Sequence, residues 1–270
     1  MDSYRDKVVV ITGGATGIGF ALAGQFGENG AKLVISGLPT DHIDGAVQQL
    51  RERGFEAVGK ACDVTERDQV ESLADFAWSE LGQADVIVNN AGIAQPPTPL
   101  LQVDLDDFRA LYEVNLFGVL NGIQVFGKRF VEQGTPAAIY NLGSENSLHP
   151  CVPSAHAYVS SKHAVLAISE LLAEEMPPHV EVAVIMPGLV KSQLTKALGM
   201  GMEADDFAAM VLRQLKQGAF YVVSHAYNRV RLDERHAAIG AAFDQYAPRY
   251  EGDDEYDIRE IVARLTRGSA

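Results

Sequence analysis

The sequence predicts an α/β fold in which a doubly wound, parallel sheet of about seven strands carries helices on both faces. Short apolar runs rich in β-branched residues recur along the chain, and a helix-length segment separates most runs from the next. Strands that alternate with helices pair in parallel through right-handed crossovers. The predicted strands cover residues 8–12, 33–36, 57–62, 86–90, 137–142, 180–186 and 219–224.

We expect one domain, residues 1–270. The chain has 270 residues and 47% hydrophobic content, which is enough for a large core, and α/β proteins of this size can be single domains. No linker, internal repeat or low-complexity tract divides it. Within the domain, residues 189–218 are expected to form a substrate loop and helix, and residues 225–270 a C-terminal helical extension whose acidic run at 251–257 is solvated.

The charge of the chain excludes some classes of partner. A formal net charge of −14 and a pI near 4.9 disfavour binding to nucleic acid or to anionic membranes. No apolar run reaches the roughly 18 residues that a membrane span needs, and the N-terminus lacks a signal-peptide pattern. We therefore expect a cytoplasmic protein, in which Cys62 and Cys151 are free thiols.

A glycine-rich turn follows the first predicted strand. The apolar run at residues 7–11 leads directly into Thr12-Gly13-Gly14-Ala15-Thr16-Gly17-Ile18-Gly19, and residues 17–23 have the pattern of a helix. In such a turn the glycines let the backbone approach a pyrophosphate, whose charge is met by the helix N-terminus. The stretch predicts a dinucleotide-binding loop of the Rossmann type.

A tyrosine and a lysine lie four residues apart in Tyr158-Val159-Ser160-Ser161-Lys162. Residues with this spacing share one face of a helix. A free tyrosine has a pKa of about 10 and is a poor base at neutral pH, so a neighbouring cation would make it more useful by favouring the ionised form. The pair therefore indicates acid–base chemistry.

Several polar or glycine-containing stretches follow predicted strands directly. The carboxyl ends of parallel strands form one edge of the sheet, which is where ligands bind. We therefore expect these stretches to meet in one site: Thr12-Gly13, Asp63, Asn89-Asn90-Ala91-Gly92, Ser144 and Pro187-Gly188.

The ordered set of motifs resembles the short-chain dehydrogenase/reductase (SDR) family over residues 5 to 225. The matching motifs are Thr12-Gly13-x-x-x-Gly17-x-Gly19, Asn89-Asn90-Ala91-Gly92, Asn115, Ser144, Tyr158-x-x-x-Lys162 and Pro187-Gly188. The resemblance implies an oxidoreductase that uses NAD or NADP to interconvert an alcohol and its ketone. Alcohol oxidation needs a base within about 3 Å of the substrate oxygen, and tyrosinate can supply it.

The resemblance also implies the residue roles. Tyr158 would be the catalytic acid/base, Ser144 would hydrogen-bond the reacting oxygen, and Lys162 would lower the pKa of Tyr158 and hold the nicotinamide ribose. Asn115 would position a water that links Lys162 to solvent. The implied cofactor-binding residues are Gly13, Thr16, Gly17, Ile18, Gly19, Gly37, Asp63, Val64, Asn90, Ala91, Gly92, Tyr158, Lys162, Pro187, Gly188, Val190 and Ser192, the last standing where threonine is usual.

Two positions depart from the family pattern. The interval from Ser144 to Tyr158 is one residue longer than the commonest spacing, which leaves Ser147 as an alternative to Ser144. At the end of the second strand, Gly37 and Leu38 stand where relatives carry the aspartate or arginine that selects NAD or NADP. Residues 36–50 contain no Lys or Arg, and the acidic residues Asp41 and Asp44 in that range would repel a 2′-phosphate, so we expect a weak preference for NAD.

Three other functions are weighed against this one. His149, His156 and His163 recur every seven residues, but no acidic or cysteine ligand accompanies them at zinc spacing, so we expect no metal. A serine hydrolase would need a Gly-x-Ser-x-Gly elbow, which the residues around Ser144 do not form. A non-catalytic sensor that binds NAD(P) on the same fold remains the alternative, although it would leave the complete set of Asn115, Ser144, Tyr158 and Lys162 without a purpose.

The substrate and the assembly are the least determined features. The expected substrate is a small-molecule alcohol or ketone that is neutral and fairly bulky, for example a benzylic alcohol such as a lignin-derived aryl ether, because the catalytic edge has no arginine cluster. The residues expected near it are Ala94, Pro96, Pro97, Leu100, Asn146, His149, Leu189 and Met200. The extension could cover the site with Tyr227, Phe243, Tyr246 and Tyr250. A homodimer or homotetramer is implied by the family, through helices at 104–130 and 155–176.

Overall fold

The computed structural model describes residue 1 and residues 3–267, with side chains up to residue 265. Its centre is one seven-stranded sheet in the order β3-β2-β1-β4-β5-β6-β7, in which every neighbouring pair is parallel. The chain runs outward from β1 to β3, then returns to the other side of β1 and continues to β7. The topological switch point therefore lies between β1 and β4, where ligands bind in such sheets.

The predicted strands are all present. The strands are β1 (Val8–Ile11), β2 (Lys32–Gly37), β3 (Ala57–Ala61), β4 (Val86–Asn89), β5 (Ala137–Leu142), β6 (Val180–Met186) and β7 (Tyr221–Val223). Their residues are almost continuously apolar and buried in β1, β4 and β5, as expected of strands that are covered on both faces. The predicted fold class, a Rossmann-type doubly wound α/β sheet, is confirmed.

Helices cover the two faces of the sheet. The helices in this part of the chain are α1 (Gly17–Glu28), α2 (Ile43–Glu52), α3 (Arg67–Leu81), α4 (Leu105–Tyr112), α5 (Gly118–Gln133), α6 (His156–Glu175) and α7 (Ala204–Leu215). One hydrophobic core lies under α1, α2 and α7 and contains Phe26 and Phe207. The other lies under α3, α5 and α6 and contains Phe126 and Phe130. At the carboxyl edge of the sheet, polar residues such as Asn89 and Ser144 end or follow the apolar strands.

The long helix that the sequence predicts at 104–130 is not continuous. A π-helical turn at Glu113–Phe117 separates α4 from α5. Such a turn accommodates an extra residue in the helix and is frequent at functional sites. Asn115, one of the predicted catalytic residues, lies inside it and is fully buried. Hydrophobic periodicity does not reveal this interruption, because the residues on either side of it are still helical.

The chain divides into two compact units, Met1–Ala226 and Tyr227–Ala270. The second unit contains α8 (Asn228–Tyr246), a 3₁₀ turn at Asp253–Tyr256 and α9 (Ile258–Arg267). The acidic run at 251–257 is mostly exposed, as predicted. Among the described residues, no helix is both long and apolar enough to cross a membrane.

Candidate active site

The glycine-rich turn links β1 to α1 in a conformation that only small residues suit. Gly13 and Gly17 have positive φ angles of 61° and 52°, a region that favours glycine. A Cβ on Gly13 would lie 3.0 Å from the Ala91 Cα atom. Helix α1 begins at Gly17, carries no acidic residue in its first turn, and has no side-chain cap from Thr16. Its N-terminus is therefore suited to an anionic group such as a pyrophosphate.

This turn borders a cleft of about 340 Å³ at the carboxyl edge of the sheet. Fifteen of the residues predicted to bind a cofactor line the cleft: Gly13, Thr16, Gly17, Ile18, Gly19, Gly37, Asp63, Val64, Asn90, Ala91, Gly92, Tyr158, Lys162, Pro187 and Ser192. Two predicted residues do not line it. Val190 is buried in a bridge to Met202, and a Cβ on Gly188 would face His225 and Glu145 instead.

Helix α6 presents Tyr158 and Lys162 to the cleft, as the four-residue spacing predicts. Lys162 is 4% exposed, its Nζ atom donates a 2.7 Å hydrogen bond to the Leu142 carbonyl oxygen, and the same atom lies 5.8 Å from the centre of the Tyr158 ring. Burial lowers the pKa of Lys162 to about 8. The ammonium group thus lies in the wall of the cleft, donates to a carbonyl oxygen, and loses its proton more readily than an exposed lysine does.

In this structure the causes that shift the pKa of Tyr158 are burial, Ser144, Glu145 and Cys151, and an effect of Lys162 on this pKa stays a prediction. Burial raises the pKa of the Tyr158 phenol, and the nearby Glu145 and Cys151 raise it further. The group that lowers it is Ser144, through a side-chain hydrogen bond. The physical reason is that the ammonium of Lys162 is directed at the Leu142 carbonyl, while the hydroxyl of Ser144 lies against the phenol. Tyr158 therefore depends on Ser144 for the stability of its ionised form.

Ser144 and Ser147, the two candidate serines, have different surroundings. They bound the short 3₁₀ turn that follows β5. The Ser147 Oγ atom donates to the Lys162 carbonyl oxygen at 2.7 Å and accepts from the Ser144 backbone N–H at 3.1 Å. Its hydrogen bonds therefore join the serine loop to α6. Of the two, Ser144 is the serine whose side-chain hydrogen bond acts on the pKa of Tyr158.

The Asn115 side chain is held by the backbone of a single residue. Its Oδ1 atom accepts from the Ile93 N–H at 2.8 Å, and its Nδ2 atom donates to the Ile93 carbonyl at 2.9 Å. These two bonds fix the loop that follows β4 against the π-helical turn. The Oδ1 atom keeps a second lone pair and the Nδ2 atom a second N–H, so the side chain and the backbone of this turn both have the capacity to bind a water between Lys162 and solvent.

Comparisons with known proteins identify the family. A family model described as short chain dehydrogenase matches residues 7–203. The chain belongs to the short-chain dehydrogenase family. It is 34% identical over 241 residues to 1-deoxy-11-beta-hydroxypentalenate dehydrogenase of Streptomyces exfoliatus, covering 86% of this chain and 87% of that protein. It is 30% identical over 189 residues to an (S)-acetoin-forming diacetyl reductase of Staphylococcus epidermidis, covering 70% and 73%.

A solved structure extends this likeness to the cofactor. The short-chain dehydrogenase/reductase of Burkholderia phymatum in complex with NAD superposes with a TM-score of 0.84 at 27% identity, covering 93% of this chain and 99% of that one. The protein is therefore an NAD(P)-dependent SDR that interconverts alcohols and ketones. This excludes the hydrolase and does not favour the non-catalytic sensor. The glycine turn, the helix N-terminus and the cleft fit the dinucleotide.

The SDR cleft is lined by further residues that the sequence did not place in the cofactor-binding set. They are Ala15, Leu38, Asp41, Cys62, Thr65, Ile93, Val114, Leu142, Gly143, Gln193 and Leu194. Asp41 is the most informative, because its Oδ2 atom accepts from the Leu38 N–H at 2.7 Å and lies 2.6 Å from the position of a Cβ on Gly37. Its carboxylate thus occupies the space beside Gly37. The available signal was an acidic residue four positions after a glycine at the end of β2.

The histidines and cysteines do not form a second site. His156 and His163 lie on α6, whereas His149 is buried in the loop before it. No three His, Cys, Asp or Glu side chains of the described residues are grouped as a metal site. Cys62 and Cys151 are free, and burial raises the pKa of their thiols to about 11 and about 12. Raised values mean little thiolate at neutral pH, so neither cysteine is an activated nucleophile.

Proposed function

We propose that this SDR oxidises a neutral, bulky or aromatic secondary alcohol to its ketone, and catalyses the reverse reaction, with Tyr158 as the acid/base. The observation that carries the proposal is the position of Tyr158. It lies in the wall of the dinucleotide cleft and also in the wall of a second cavity of about 320 Å³. A group shared by both spaces can act on a substrate held in one and a cofactor held in the other.

The residues divide the chemistry as follows. In oxidation, the Tyr158 phenolate takes the proton of the substrate hydroxyl while the carbon loses a hydride, and the C–O single bond becomes a carbonyl. When bound, the nicotinamide supplies the hydride acceptor, or the donor in reduction. Ser144 donates a hydrogen bond to the oxygen as charge develops on it. Lys162 holds the ribose and passes the proton onward with a water bound at the turn of Asn115.

The second cavity supports a neutral substrate. Its lining contains Asp104, Asp107 and His156, together with Gln95 and Thr98, and contains no Arg or Lys. Two carboxylates repel an anionic substrate, whereas the amide, the hydroxyl and the imidazole can hydrogen-bond ether and hydroxyl oxygens. The volume admits a group of several ring atoms. A benzylic alcohol such as a lignin-derived aryl ether remains our specific proposal for this space.

Of the residues that the sequence places near the substrate, Pro96 lines this cavity. Ala94, Pro97, Leu100, Leu189 and Met200 are not in its lining, and Asn146 and His149 are buried in the loop after β5. The reason is that the loop after β4 turns toward the first turn of α6, which brings Gln95 and Thr98 next to His156. The sequence analysis selected mainly apolar residues, which did not indicate a polar cavity.

A substrate panel tests the proposal. We expect the aryl ether alcohol and other bulky neutral secondary alcohols to have a kcat/KM at least tenfold above short charged hydroxy acids, followed at the absorbance band of the reduced nicotinamide. His156→Phe should lower kcat/KM for oxygen-rich substrates more than for a plain alicyclic alcohol, with Ser160→Ala, one turn along α6, as the matched control. Preference for short hydroxy acids, or for a carboxylate such as the hydroxypentalenate in the Streptomyces relative's name, would contradict the proposal.

The preferred cofactor is proposed to be NAD. Asp41 lies beside Gly37 at the end of β2, in the lining of the cleft, and would accept hydrogen bonds from an adenosine ribose while repelling a 2′-phosphate. Among the described residues, no Arg lines the cleft, and Lys162 is the one basic residue in its lining. The other residues that would hold the dinucleotide are those of the glycine turn and Asp63, Asn90 and Ser192.

We also propose a homodimer or homotetramer that works in the cytoplasm. An apolar groove of about 530 Å³ runs between α5 and α6. Val131 and Leu171 on its rim are 43% and 58% exposed, and Ile123 and Met176 also line it. Pairing of two such faces would remove them from water. Light scattering should show at least a dimer at micromolar concentration, and Leu171→Glu should shift it toward the monomer.

A further inference from the structure

The hydroxyl of Ser144 has both of its acceptor positions occupied by one residue. Its Oγ atom accepts from the Asn146 backbone N–H at 3.1 Å and from the Asn146 side-chain Nδ2 at 3.2 Å. A serine hydroxyl has one proton to donate and two lone pairs that accept. With both lone pairs engaged, the proton of Ser144 is available to the Tyr158 phenol, whose pKa is lowered by its side-chain hydrogen bond with Ser144.

The orientation of the Asn146 amide is set by its own partners. Its Oδ1 atom accepts from the backbone N–H groups of Cys151 at 2.9 Å and Val152 at 3.2 Å. Two N–H donors require an oxygen at that position, so the NH₂ group must face Ser144. The side chain is 3% exposed, and water has little access to replace either contact. The amide therefore cannot rotate without leaving buried donors unpaired.

We propose that Asn146 is a positioning residue that makes Ser144 a one-way donor, whose single proton points toward Tyr158 in the absence of substrate and toward the reacting oxygen once substrate is bound. The proposal rests on the role of Ser144 in the proposed function. Oxidation and reduction both need this direction, because negative charge develops on the substrate oxygen in either case and is stabilised by a donor, not by an acceptor. A serine without such a partner can turn its proton toward another acceptor in the loop.

The direction of the proton also explains why Ser144 stabilises ionised Tyr158. A hydroxyl that donates to a phenolate oxygen favours the charged form, and one that accepts from the phenol favours the neutral form. Burial, Glu145 and Cys151 all work against ionisation of this phenol. Asn146 thus acts on Tyr158 through Ser144, with no contact of its own to the substrate.

The test is Asn146→Asp. This substitution keeps the shape of the side chain and replaces the NH₂ donor that faces Ser144 with an oxygen that accepts. One carboxylate oxygen still accepts from the Cys151 and Val152 N–H groups, so the loop keeps its anchors. The other oxygen now accepts the Ser144 proton and draws it away from Tyr158. We expect kcat to fall roughly 10- to 100-fold, toward the value of Ser144→Ala, with unchanged affinity for NAD(H) by fluorescence titration. The acidic limb of the oxidation pH profile should move to higher pH.

A double variant separates this effect from the added charge. In a Ser144→Ala background, Asn146→Asp should change kcat less than about threefold, because no proton is left to redirect. An equal loss with and without Ser144 would assign the effect to charge or to loop damage and overturn the proposal. Near-normal kcat in Asn146→Asp alone would also overturn it. If Ser144→Ala itself had normal kcat, the proposed role of Ser144 would fail first.

A second substitution covers the case in which Asn146→Asp does not fold. Asn146→Ala removes the side-chain donor and leaves the backbone N–H of residue 146 in place. We expect a smaller loss of kcat, roughly 3- to 10-fold, which again disappears in the Ser144→Ala background. A loss that persists in that background contradicts the proposal as clearly as for Asn146→Asp.

Discussion

Two groups of polar side chains, one structural and one that we propose to be catalytic, use the same residue types differently. In the first, which we call the Tyr4 group, the hydroxyls of Tyr4 and Tyr140 lie 2.9 Å apart, and Lys7 donates to Asp85 at 2.8 Å. The backbone N–H of Lys7 donates to the Tyr4 carbonyl and joins the two pairs. Every polar side chain of this group is paired, and its lysine has a carboxylate partner.

The second group, the catalytic group, consists of Ser144, Tyr158 and Lys162. Its lysine is more deeply buried than Lys7 and has a carbonyl partner in place of a carboxylate, so burial lowers its pKa to about 8. A buried ammonium with a carboxylate partner stabilises the fold. A buried ammonium without one has a pKa closer to neutral pH, where it can exchange protons. The two lysines therefore differ both in the depth of burial and in the charge of the partner.

The tyrosines show the same contrast. Burial raises the pKa of Tyr4 to about 12 and that of Tyr140 well above its usual value, and the hydrogen bond between them raises that of Tyr140 further. Burial also raises the pKa of Tyr158, but there the hydrogen bond with Ser144 lowers it. Since oxidation needs the phenolate, the rate of oxidation should rise with pH in the range where Tyr158 loses its proton.

The largest expected effect comes from removing one tyrosine hydroxyl from each group. Tyr158→Phe removes the acid/base, so kcat should fall roughly 10²- to 10⁴-fold with folding and NAD(H) affinity preserved. Tyr140→Phe should leave kcat within about twofold and lower the free energy of unfolding by about 1–3 kcal/mol, because the Tyr4 hydroxyl loses its buried partner. Steady-state kinetics and urea denaturation of both variants measure the two outcomes.

The opposite pattern would break the comparison. Near-normal turnover in Tyr158→Phe would remove the proposed mechanism, whatever the stability of the variant. A strong loss of kcat in Tyr140→Phe, with the fold intact, would show that the Tyr4 group also controls the site and that burial with full pairing does not mark a purely structural role.

The sequence predicted the sheet and most of the cleft for a physical reason. Apolar strands and the glycine turn are local patterns, and the motifs after each strand meet because parallel strands share one edge. The contacts of Asn146 and Asp41 were not predictable in this way. Each depends on a hydrogen bond to a loop whose path is set by tertiary packing, as does the π-helical turn at Asn115.

A smaller effect is expected in the pH dependence of stability. The folded pKa of Lys162, about 8, lies below that of an exposed lysine, about 10.4. Between these values the unfolded chain binds the proton and the folded protein releases it, so stability rises with pH. Relative to Lys162→Met, the wild type should gain roughly 2 kcal/mol in the free energy of unfolding between pH 7 and pH 9.5.

Lys7→Met is the matched control for this measurement. Lys7 is partly exposed and paired with Asp85, so this variant measures what the loss of a lysine outside the cleft does to stability at the two pH values. Urea denaturation at the two pH values compares all three proteins. A flat difference between the wild type and Lys162→Met would mean that Lys162 is not desolvated in solution and would weaken the contrast between the two lysines.

The smallest expected effect concerns the two aspartates and the choice of cofactor. Asp41→Asn removes the negative charge beside Gly37 while keeping an acceptor for the Leu38 N–H, so the ratio of kcat/KM for NAD to that for NADP should fall roughly 3- to 10-fold. Asp85→Asn should leave this ratio unchanged and lower the free energy of unfolding by about 1–3 kcal/mol, because Asp85 accepts from Lys7, Gln83 and the Val8 N–H.

A wild-type enzyme that prefers NADP would show that the proposed NAD preference is wrong. An unchanged ratio in Asp41→Asn would show that the cleft selects the ribose by other contacts.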